Sequence, residues 1–512
     1  ARYLKSLLEE RPYTVRSWLY DGQQGNPFLE PDAVLKKWTA VLTDHLENGD
    51  EFERNVFQFD ISQTEKYGPQ GGHEAISDIM KSIVLPSFEM GSQEVPAFEE
   101  KEWELSVQDA TRELLHHGVH DLSPRSYERV VDDMRARDTL ESNSGWPDFT
   151  RRNKPEVKSA AIEAARNGAW KSYPAIALFR RYNGKTRLVW MFPLAVNIVE
   201  GSWFQPLSDA ISRSPYLIDG FFCPWKGFEQ VRANVTQVYQ NLHKQIAASD
   251  FTSTDAHFQK SATREVLKVL SPLFKPEYRE ALAQSLMYMH EIPLIVGPTE
   301  MLIGDHGVSS GSNWTNFVET IFDLILSKYV QRKLSQSVSG LYAIGDDMAW
   351  QSSNFGEDFK RQLEQLGKAA GQIIRADKTA AYPDKVKTLQ RLFQRNYSRP
   401  DGMLRGVYST IRALKSSIYP ERFHTEWSSD LFCARQFMIL ENCVDHPLFN
   451  DFVEFVCKGN RHLIPFAKKT AQQLDAINRK TKLIPGLNPT YNQEKRDQSL
   501  ASFESIRIAR EL

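Results

Sequence analysis

Hydrophobic and polar residues alternate most informatively between residues 241 and 375. Strand-like residues end at Asp250, and helical spacing then continues to about Leu270. After a loop over 304–312, apolar residues recur every three or four positions, which predicts a long amphipathic helix. The residues that set this spacing are Trp314, Phe317, Ile321, Leu324, Ile325 and Tyr329.

Two apolar runs, 341–344 and 348–350, flank Gly345-Asp346-Asp347 and predict a β-hairpin. A helix with one apolar face over 359–366 should end near Gly371, because glycine commonly caps helices, and a short strand should follow over 372–374. The order strand, helix, helix, hairpin, helix, strand predicts an α+β fold in which helices back a small antiparallel sheet.

The flanking segments are predicted to be mainly helical. Residues 102–140 have helical periodicity up to a break at 144–147, and 160–170 favours another helix. Asn-Gly within 182–185 lies between strand-like runs and predicts a hairpin over 175–192. Residues beyond about 410 should again form helices, with a proline-rich, basic tail.

The distribution of charged residues along the chain changes what its net charge implies. A net charge of −2 argues at first against a nucleic-acid binder. Residues 151–190, however, carry ten Lys and Arg against two acids, and 375–416 carry ten against three, whereas 88–109 has seven acids and one Lys. Separate basic segments in a near-neutral chain favour an internal basic channel, with solvated helix faces as the alternative.

Cysteine spacing and the length of the apolar runs argue against a zinc-stabilised protein and against a membrane-spanning one. Cys223, Cys433, Cys443 and Cys457 form no C-x-x-C pair, so structural zinc is not expected. Few cysteines and no signal peptide favour a reducing, intracellular setting. No run of 18 apolar residues occurs, so no membrane span is expected.

Carboxylates at two predicted strand ends are the first candidates for chemistry. Asp346 and Asp347 lie on a tight turn, and Asp250 could meet them across a neighbouring strand. Carboxylates that share a site repel one another unless a metal neutralises them. Two hard cations there could activate an attacking hydroxyl and stabilise a leaving phosphate oxygen. The alternatives are an exposed turn at 345–347 and a helix cap at Asp255.

Three further segments suit a nucleotide. The small-residue loop 307–312 permits close approach of a phosphate, although such loops are often plain connections. Lys185 and Arg187 share one strand face that could grip a triphosphate, or they form an ordinary polar hairpin face. Lys378, which follows a predicted strand, could protonate departing pyrophosphate or be a surface lysine.

In their order, these segments resemble the motifs of viral RNA-dependent RNA polymerases. D-x4-D at 250–255, S-G-x-x-x-T at 310–315, G-D-D at 345–347 and Lys378 resemble motifs A to D, and the basic hairpin before them resembles motif F. The short serine-rich loop, together with 391–397, which resembles motif E, is most similar to the picobirnavirus and partitivirus group of double-stranded RNA viruses. The chain most resembles a picobirnavirus polymerase.

The resemblance implies a role for each matching residue. Asp250 and Asp346 would ligate two metal ions with help from Asp347, and Lys378 would be the general acid. Asp255 would sense the ribose 2′-hydroxyl. The nucleotide and template would be positioned by Ser310, Gly311 and Thr315, and the triphosphate would be bound by Lys185, Arg187, Arg180 and Arg181. Many relatives place Asn four residues after the motif B threonine, where this chain has Glu319, while Asn316 directly follows Thr315. Either residue could complete ribose recognition. Residues 142–147 loosely resemble the template-guiding motif G.

The resemblance also implies a right-hand polymerase. Fingers would comprise 76–240 and 265–300, the palm 241–264 and 301–400, the thumb and tail 401–512, and 1–75 an N-terminal extension bridging fingers and thumb. A 3′-hydroxyl would attack the α-phosphate of an NTP, with two Mg²⁺ ions, for which Mn²⁺ can substitute. Expected partners are RNA template, RNA product, NTPs and capsid protein, for a monomer in the virion interior or host cytoplasm.

Two rival functions remain open at this point. A reverse transcriptase shares the paired-metal palm, but Asp255 argues against it, because reverse transcriptases usually carry a bulky aromatic there. A non-catalytic RNA-binding protein would use the acids only as turns and caps.

Overall fold

The computed structural model describes residues 2–13, 16–66, 68–90, 94–136, 143–182, 184–252, 254–334, 337–375, 379, 381–420, 427–484 and 498–512. The predicted strand-following Lys378 and the proline-rich part of the tail, 485–497, lie outside these ranges.

Helices dominate the described chain. The α-helices are α1 (Arg2–Leu8), α2 (Pro31–Leu46), α3 (Glu51–Ile61), α4 (Ile76–Ile79), α5 (Leu85–Glu89), α6 (Lys101–His116), α7 (Tyr127–Ala136), α8 (Pro155–Asn167), α9 (Leu194–Ser212), α10 (Pro215–Ile218), α11 (Cys223–Lys226), α12 (Phe228–Gln240), α13 (Thr254–His257), α14 (Lys260–Leu270), α15 (Arg279–Tyr288), α16 (Thr315–Lys333), α17 (Phe359–Ala369), α18 (Thr410–Ile418), α19 (Ser429–Glu441), α20 (Phe449–Lys458), α21 (Leu463–Ala467), α22 (Ala471–Thr481) and α23 (Glu504–Glu511). No helix among the described residues is both long enough and apolar enough to cross a bilayer.

Ten short strands accompany the helices in the described part of the chain. They are β1 (Ala175–Tyr182), β2 (Lys185–Met191), β3 (Gln245–Asp250), β4 (Leu294–Gly297), β5 (Glu300–Leu302), β6 (Val338–Ile344), β7 (Asp347–Ser352), β8 (Lys385–Thr388), β9 (Arg391–Gln394) and β10 (Val407–Tyr408).

The chain divides into two compact units. The first comprises Ala1–Glu9, Glu74–Phe179 and Leu188–Thr388, and the second comprises Glu10–His73, Arg180–Arg187 and Leu389–Leu512.

A three-stranded antiparallel sheet in the order β3-β7-β6 lies in the first unit. β7 pairs with β3 from Gln245↔Ser352 to Asp250↔Asp347. Beyond β3, Phe251 forms an isolated antiparallel bridge with Ile374, so the strand predicted over 372–374 is reduced to a single extended contact. The predicted small antiparallel sheet is thus present, and its register places Asp250 beside the β6–β7 turn.

Helix α16 packs against β6 and α6 in the core of the first unit. Trp103 of α6 contacts Phe322 and Tyr329 of α16, with ring centroids 5.5 and 5.3 Å apart. The predicted long helix is present, but the prediction that it is amphipathic is wrong. Its polar residues Glu319, Thr320, Asp323 and Ser327 are buried as well. Neighbours surround it on nearly all sides, so its polar positions must find partners inside the protein.

A second sheet has the order β2-β1-β4-β5, and the tip of its β1–β2 hairpin, Arg180–Arg187, belongs to the second unit. β1 runs parallel to β4, with Ala175 opposite Leu294, and β5 returns antiparallel to β4. The predicted β1–β2 hairpin is present. Helix α9 follows β2 and is buried over nearly its whole length.

Helical segments differ from prediction where turns interrupt them. The helix expected over 102–140 is divided into α6 and α7, because Gly118 and Asp121 adopt positive φ angles of 97° and 52°. Helix α8 ends before Gly168, which has a φ of 83° and permits the left-handed cap that stops the helix.

Helices α2, α3 and α18–α23 with β9 and β10 build the second unit, as predicted for residues beyond 410. Its core includes Trp38 of α2, whose ring lies 4.9 Å from that of Phe452 on α20. Asp60 of α3 accepts hydrogen bonds from the backbone nitrogens of Thr410 and Ile411, at 3.2 and 3.1 Å, and so satisfies the first turn of α18.

Candidate active site

The β3–β7 register brings the predicted acids together at one end of the sheet. Asp250 is the direct cross-strand partner of Asp347. Side chains in such pairs lie about 5 Å apart at Cβ, and like charges there repel. Asp346 occupies the turn immediately before Asp347. Asp250, Asp346 and Asp347 are all exposed, so they form a negatively charged edge that solvent can reach.

The turn that carries Asp346 requires glycine at Gly345. This residue has a φ of 58°, in the left-handed region that side chains disfavour. A Cβ at this position would also lie 2.9 Å from Nδ2 of Asn316. The backbone nitrogen of Gly345 donates to Oγ1 of Thr320 at 2.9 Å. The turn is therefore fixed to α16 by close approach and by a buried hydrogen bond.

Mutual repulsion shows in the pKa values of these acids. The protein around Asp347 desolvates its carboxylate and, together with the charges of Asp346 and Asp250, raises its pKa to about 7 although part of its surface is exposed. Burial raises the pKa of Asp323 well above its ordinary value, and the charges of Asp346 and Asp347 raise it further. The carboxylates lie close enough to perturb one another, which a bound cation would relieve.

Helix α16 also contributes Glu319, which contacts Asp255. Burial raises the pKa of Glu319 well above its ordinary value, with added contributions from the charges of Asp255 and Asp346 and from a hydrogen bond with Asp255. Asn316 instead lies against Gly345. Of the two residues considered for ribose recognition, Glu319 is thus the one that the structure connects to Asp255.

The loop 307–312 lies close to the backbone of Asp255 and of Trp190. A Cβ on Gly307 would lie 2.1 Å from the carbonyl oxygen of Asp255, and one on Gly311 would lie 1.8 Å from that of Trp190. Ser310 accepts a hydrogen bond from the Trp190 nitrogen at 3.1 Å and is exposed. The hydroxyl of Thr315 is buried and donates to the Ser309 carbonyl, so it holds the loop.

The basic hairpin is divided between two roles. Lys185 and Arg187 are exposed on alternate positions of β2. Arg181 forms two backbone hydrogen bonds with 71–72, and its guanidinium donates to the hydroxyl of Tyr13 and lies over that ring. Arg181 is therefore engaged within the second unit, and Arg180 is half-buried.

The donor set fits a magnesium-type ion that shares its coordination with a substrate. Among the described residues, no three Asp, Glu, His or Cys side chains are grouped so that they could hold a metal alone. Mg²⁺ typically takes one or two protein carboxylates and completes its shell with water and substrate phosphates. Asp250 and Asp346, with Asp347 between them in the sheet register, supply such a partial set.

Asp323, Thr320 and Glu200 were missed from the sequence. Asp323 lies four residues after Glu319 on an otherwise apolar helix, so helical spacing places both acids on one face. Glu200 is the only charged residue between Leu188 and Ser208. A lone acid in an apolar run was the available signal, because such a residue needs polar partners when it is buried.

Comparisons with known proteins show that the chain is similar to viral RNA polymerases. Residues 182–421 match the family model of viral RNA-dependent RNA polymerase. A potential RNA-dependent RNA polymerase of human picobirnavirus (strain Human/Thailand/Hy005102/-) is 25% identical over 481 residues, covering 90% of this chain and 84% of that protein. An RNA-directed RNA polymerase of Cryptosporidium parvum virus 1 (strain KSU-1) is 24% identical over 214 residues, covering 40% of this chain and 39% of that protein.

The fold is similar to a solved polymerase structure. The crystal structure of the RNA-dependent RNA polymerase of a human picobirnavirus superposes with a TM-score of 0.81 at 22% identity, covering 100% of this chain and 96% of that one. The predicted α+β, right-hand polymerase fold and the predicted resemblance to picobirnavirus polymerases are therefore confirmed.

Proposed function

This chain is an RNA-directed RNA polymerase of the viral type, and we propose that it joins NTPs to an RNA 3′-hydroxyl by a two-metal mechanism. The observation that carries the proposal is the cross-strand pair Asp250↔Asp347 with Asp346 at the adjoining turn. These exposed acids lie beside buried acids whose pKa values they raise.

Each of the chain's own residues has a distinct task in this proposal. Asp250 and Asp346 would hold two Mg²⁺ or Mn²⁺ ions, with Asp347 assisting, and the bound ions would activate the hydroxyl and stabilise the leaving oxygen. Asp255, held by Glu319, would accept a hydrogen bond from the ribose 2′-hydroxyl. Lys185, Arg187 and Arg180 would bind the triphosphate, and Lys378 would protonate pyrophosphate.

Loop 307–312 would shape the nucleotide position. Ser310 is exposed, whereas Ser309 and Ser312 on either side are buried. With Gly311 allowing close approach to β2, Ser310 would contact the nucleotide or template strand. Thr315 would hold the loop from within, and Asn316 would support the Gly345 turn.

Incorporation of labelled NTP on a primed RNA template tests the metal-binding acids. Asp346→Asn keeps the size of the side chain and removes its charge, so we expect a loss of ~10³-fold or more, corresponding to the several kcal/mol that metal ions contribute. Glu357→Gln changes an exposed carboxylate in the loop after β7 and should retain wild-type activity. Incorporation by Asp346→Asn at the wild-type rate would refute the proposed site.

The same assay separates the polymerase from a reverse transcriptase. The hydrogen bond between Asp255 and Glu319 supports selection of ribose, so the chain should prefer NTPs to dNTPs. Equal use of both would contradict this role of Asp255.

The subdomain boundaries, the oligomeric state, the capsid partner and the location are also part of the proposal. We propose fingers at 76–240 and 265–300, palm at 241–264 and 301–400, thumb and tail at 401–512, and a bridging extension at 1–75. The sheet β3-β7-β6 and α16 fall inside the palm ranges, which supports this division. We also propose a monomer that replicates and transcribes a double-stranded RNA genome with capsid protein, in the virion interior or host cytoplasm. Light scattering of the purified chain and co-sedimentation with capsid protein would test the last points.

A further inference from the structure

Helix α9 buries a single charged residue near the middle of an apolar run. Glu200 has 2% of its surface exposed, and its neighbours in the helix are mostly apolar. Burying a carboxylate costs free energy unless hydrogen-bond donors surround it. The partners of Glu200 therefore indicate what this residue does.

Among the described residues, the hydrogen-bond donors to Glu200 come from α9 itself and from Ser312 and Asn313 at the end of the loop. Oε1 accepts from the backbone nitrogen of Asn313 at 3.0 Å and from Nδ2 of Asn197 at 2.9 Å. Oε2 accepts from the hydroxyl of Ser312. Asn197 Nδ2 also donates to the carbonyl of Gly311 at 3.2 Å. One carboxylate and one amide thus bind three consecutive loop residues.

Arg152 extends this network to a second segment. Its Nη2 donates to Oδ1 of Asn197 at 2.7 Å, and its Nε donates to the carbonyl of Asn143 at 2.9 Å. Burial lowers the pKa of Arg152 to about 10, and the charge of Glu200 opposes that shift. Leu194, at the start of α9, donates from its backbone nitrogen to the Ser144 carbonyl at 2.8 Å. Residues 143–147, the described part of the segment 142–147 that loosely resembles a template-guiding motif, are therefore bonded to α9 directly and through Arg152.

We infer that Glu200 is a positioning residue that, with Asn197 and Arg152, holds loop 307–312 in register with segment 143–147. The inference rests on the proposed function, in which Ser310 contacts nucleotide or template. On the other side of Ser310, the loop is held separately, since Ser309 Oγ donates to the Met289 carbonyl at 3.2 Å. Removal of the Glu200 contacts takes away the acceptor of the Ser312 hydroxyl and of the Asn313 backbone nitrogen, and so weakens the hold on the loop beyond Ser310 and Gly311.

Glu200→Gln tests the inference, because it retains the shape of the side chain and replaces one acceptor with a donor. We expect kcat for NTP incorporation to fall ~10- to 100-fold with KM for NTP changed less than about threefold, since misplacement of reacting groups affects the transition state. Glu265→Gln is the matched control. Glu265 is buried on α14 and accepts from Trp103 Nε1 at 2.9 Å, away from the loop, so it should lose stability without this kinetic change.

A double-mutant cycle distinguishes positioning from general stabilisation. Ser312→Ala removes the hydroxyl that donates a hydrogen bond to Glu200. This variant should reproduce part of the kcat loss on its own, so the inference stays testable even if Glu200→Gln folds poorly. The double variant should be no slower than the slower single variant, because both changes act through one contact. Additive losses, or an unchanged kcat in Ser312→Ala, would overturn the inference.

Hydrogen exchange provides a readout that does not need activity. Amides of 311–313 should exchange at least tenfold faster in Glu200→Gln than in the wild type and stay protected in Glu265→Gln. Unchanged protection in Glu200→Gln would refute the inference even if the wild type incorporates NTPs. A wild type that incorporates nothing would instead refute the proposed function, while the exchange result would still decide whether Glu200 holds the loop.

Discussion

Asp60 should be one of the strongest single stabilising residues of the second unit. Its carboxylate is fully buried and accepts from Ser409 Oγ at 2.5 Å, from Thr410 Oγ1, and from the backbone nitrogens of Thr410 and Ile411. His446 completes the set, since its Nε2 lies 2.9 Å from Asp60. His446 Nδ1 accepts from the Leu448 nitrogen at 3.0 Å, so the ring proton is on Nε2 and is donated to Asp60.

The size of the expected stability loss follows from the hydrogen-bond donors that a substitution of Asp60 would leave unsatisfied. Asp60→Ala removes the acceptor of five hydrogen bonds inside the core. Each orphaned buried donor costs about 1–3 kcal/mol in isolation, but the costs within one network are not additive, so five orphaned donors cost less than five times that amount. We therefore expect a loss of about 3–5 kcal/mol, and a smaller loss for Asp60→Asn, which keeps one acceptor oxygen.

Urea unfolding measured together with hydrogen exchange of α18 is the appropriate assay. The exchange data identify the transition that belongs to the second unit, which matters because a chain with two units need not unfold in one step. Asp44→Ala, an exposed acid on α2, is the control and should change stability by less than about 0.5 kcal/mol.

The pH dependence gives a second check on Asp60. Burial raises its pKa, but hydrogen bonds from His446, Ser409 and Thr410 outweigh burial and leave the pKa below its ordinary value. The stability that it contributes is therefore present above the pKa of the unfolded chain and is lost as pH falls through the folded pKa. A loss below about 1 kcal/mol in Asp60→Ala at neutral pH would show that the donors find other acceptors, and would refute the reasoning.

Three further outcomes are expected. Burial raises the pKa of Glu200 from 4.5 to about 7, so the free energy of unfolding of the wild type should fall by about 3 kcal/mol between pH 4.5 and 7. Glu200→Gln should lack that decline when urea unfolding is measured across this pH range. The free energy of unfolding of Glu319→Gln should likewise fall less than that of the wild type as pH rises above about 4.5, because the folded wild type keeps the Glu319 proton. Glu319→Gln should also show a smaller preference for NTPs over dNTPs in competition assays. Gly311→Ala should lower kcat by ~100-fold, since its Cβ would meet the Trp190 carbonyl at 1.8 Å, whereas Gly297→Ala, with contacts no closer than 3.6 Å, should remain active.

Much of the site could be predicted from local sequence. The Gly345-Asp346-Asp347 turn between two apolar runs predicted a hairpin, and the hairpin is present because glycine there adopts a φ of 58°. The strand that ends at Asp250 was likewise found from its pattern. Neither pattern could reveal that Glu319 contacts Asp255, because the two residues lie 64 positions apart in the chain and meet only in the folded structure, where α16 packs against β6 of the same sheet as β3.

The sequence by itself determined the order of the elements, the two acidic strand ends and the glycines that let the backbone turn there. Periodicity and turn preference act over a few residues, so they can be seen without a structure. Only the tertiary structure decided that α16 is buried on nearly all sides, that Asp250 faces Asp347, and that Glu200 holds a loop more than 100 residues away. Burial, cross-strand register and the pairing of a buried charge depend on which distant segments come into contact, and no local pattern specifies that.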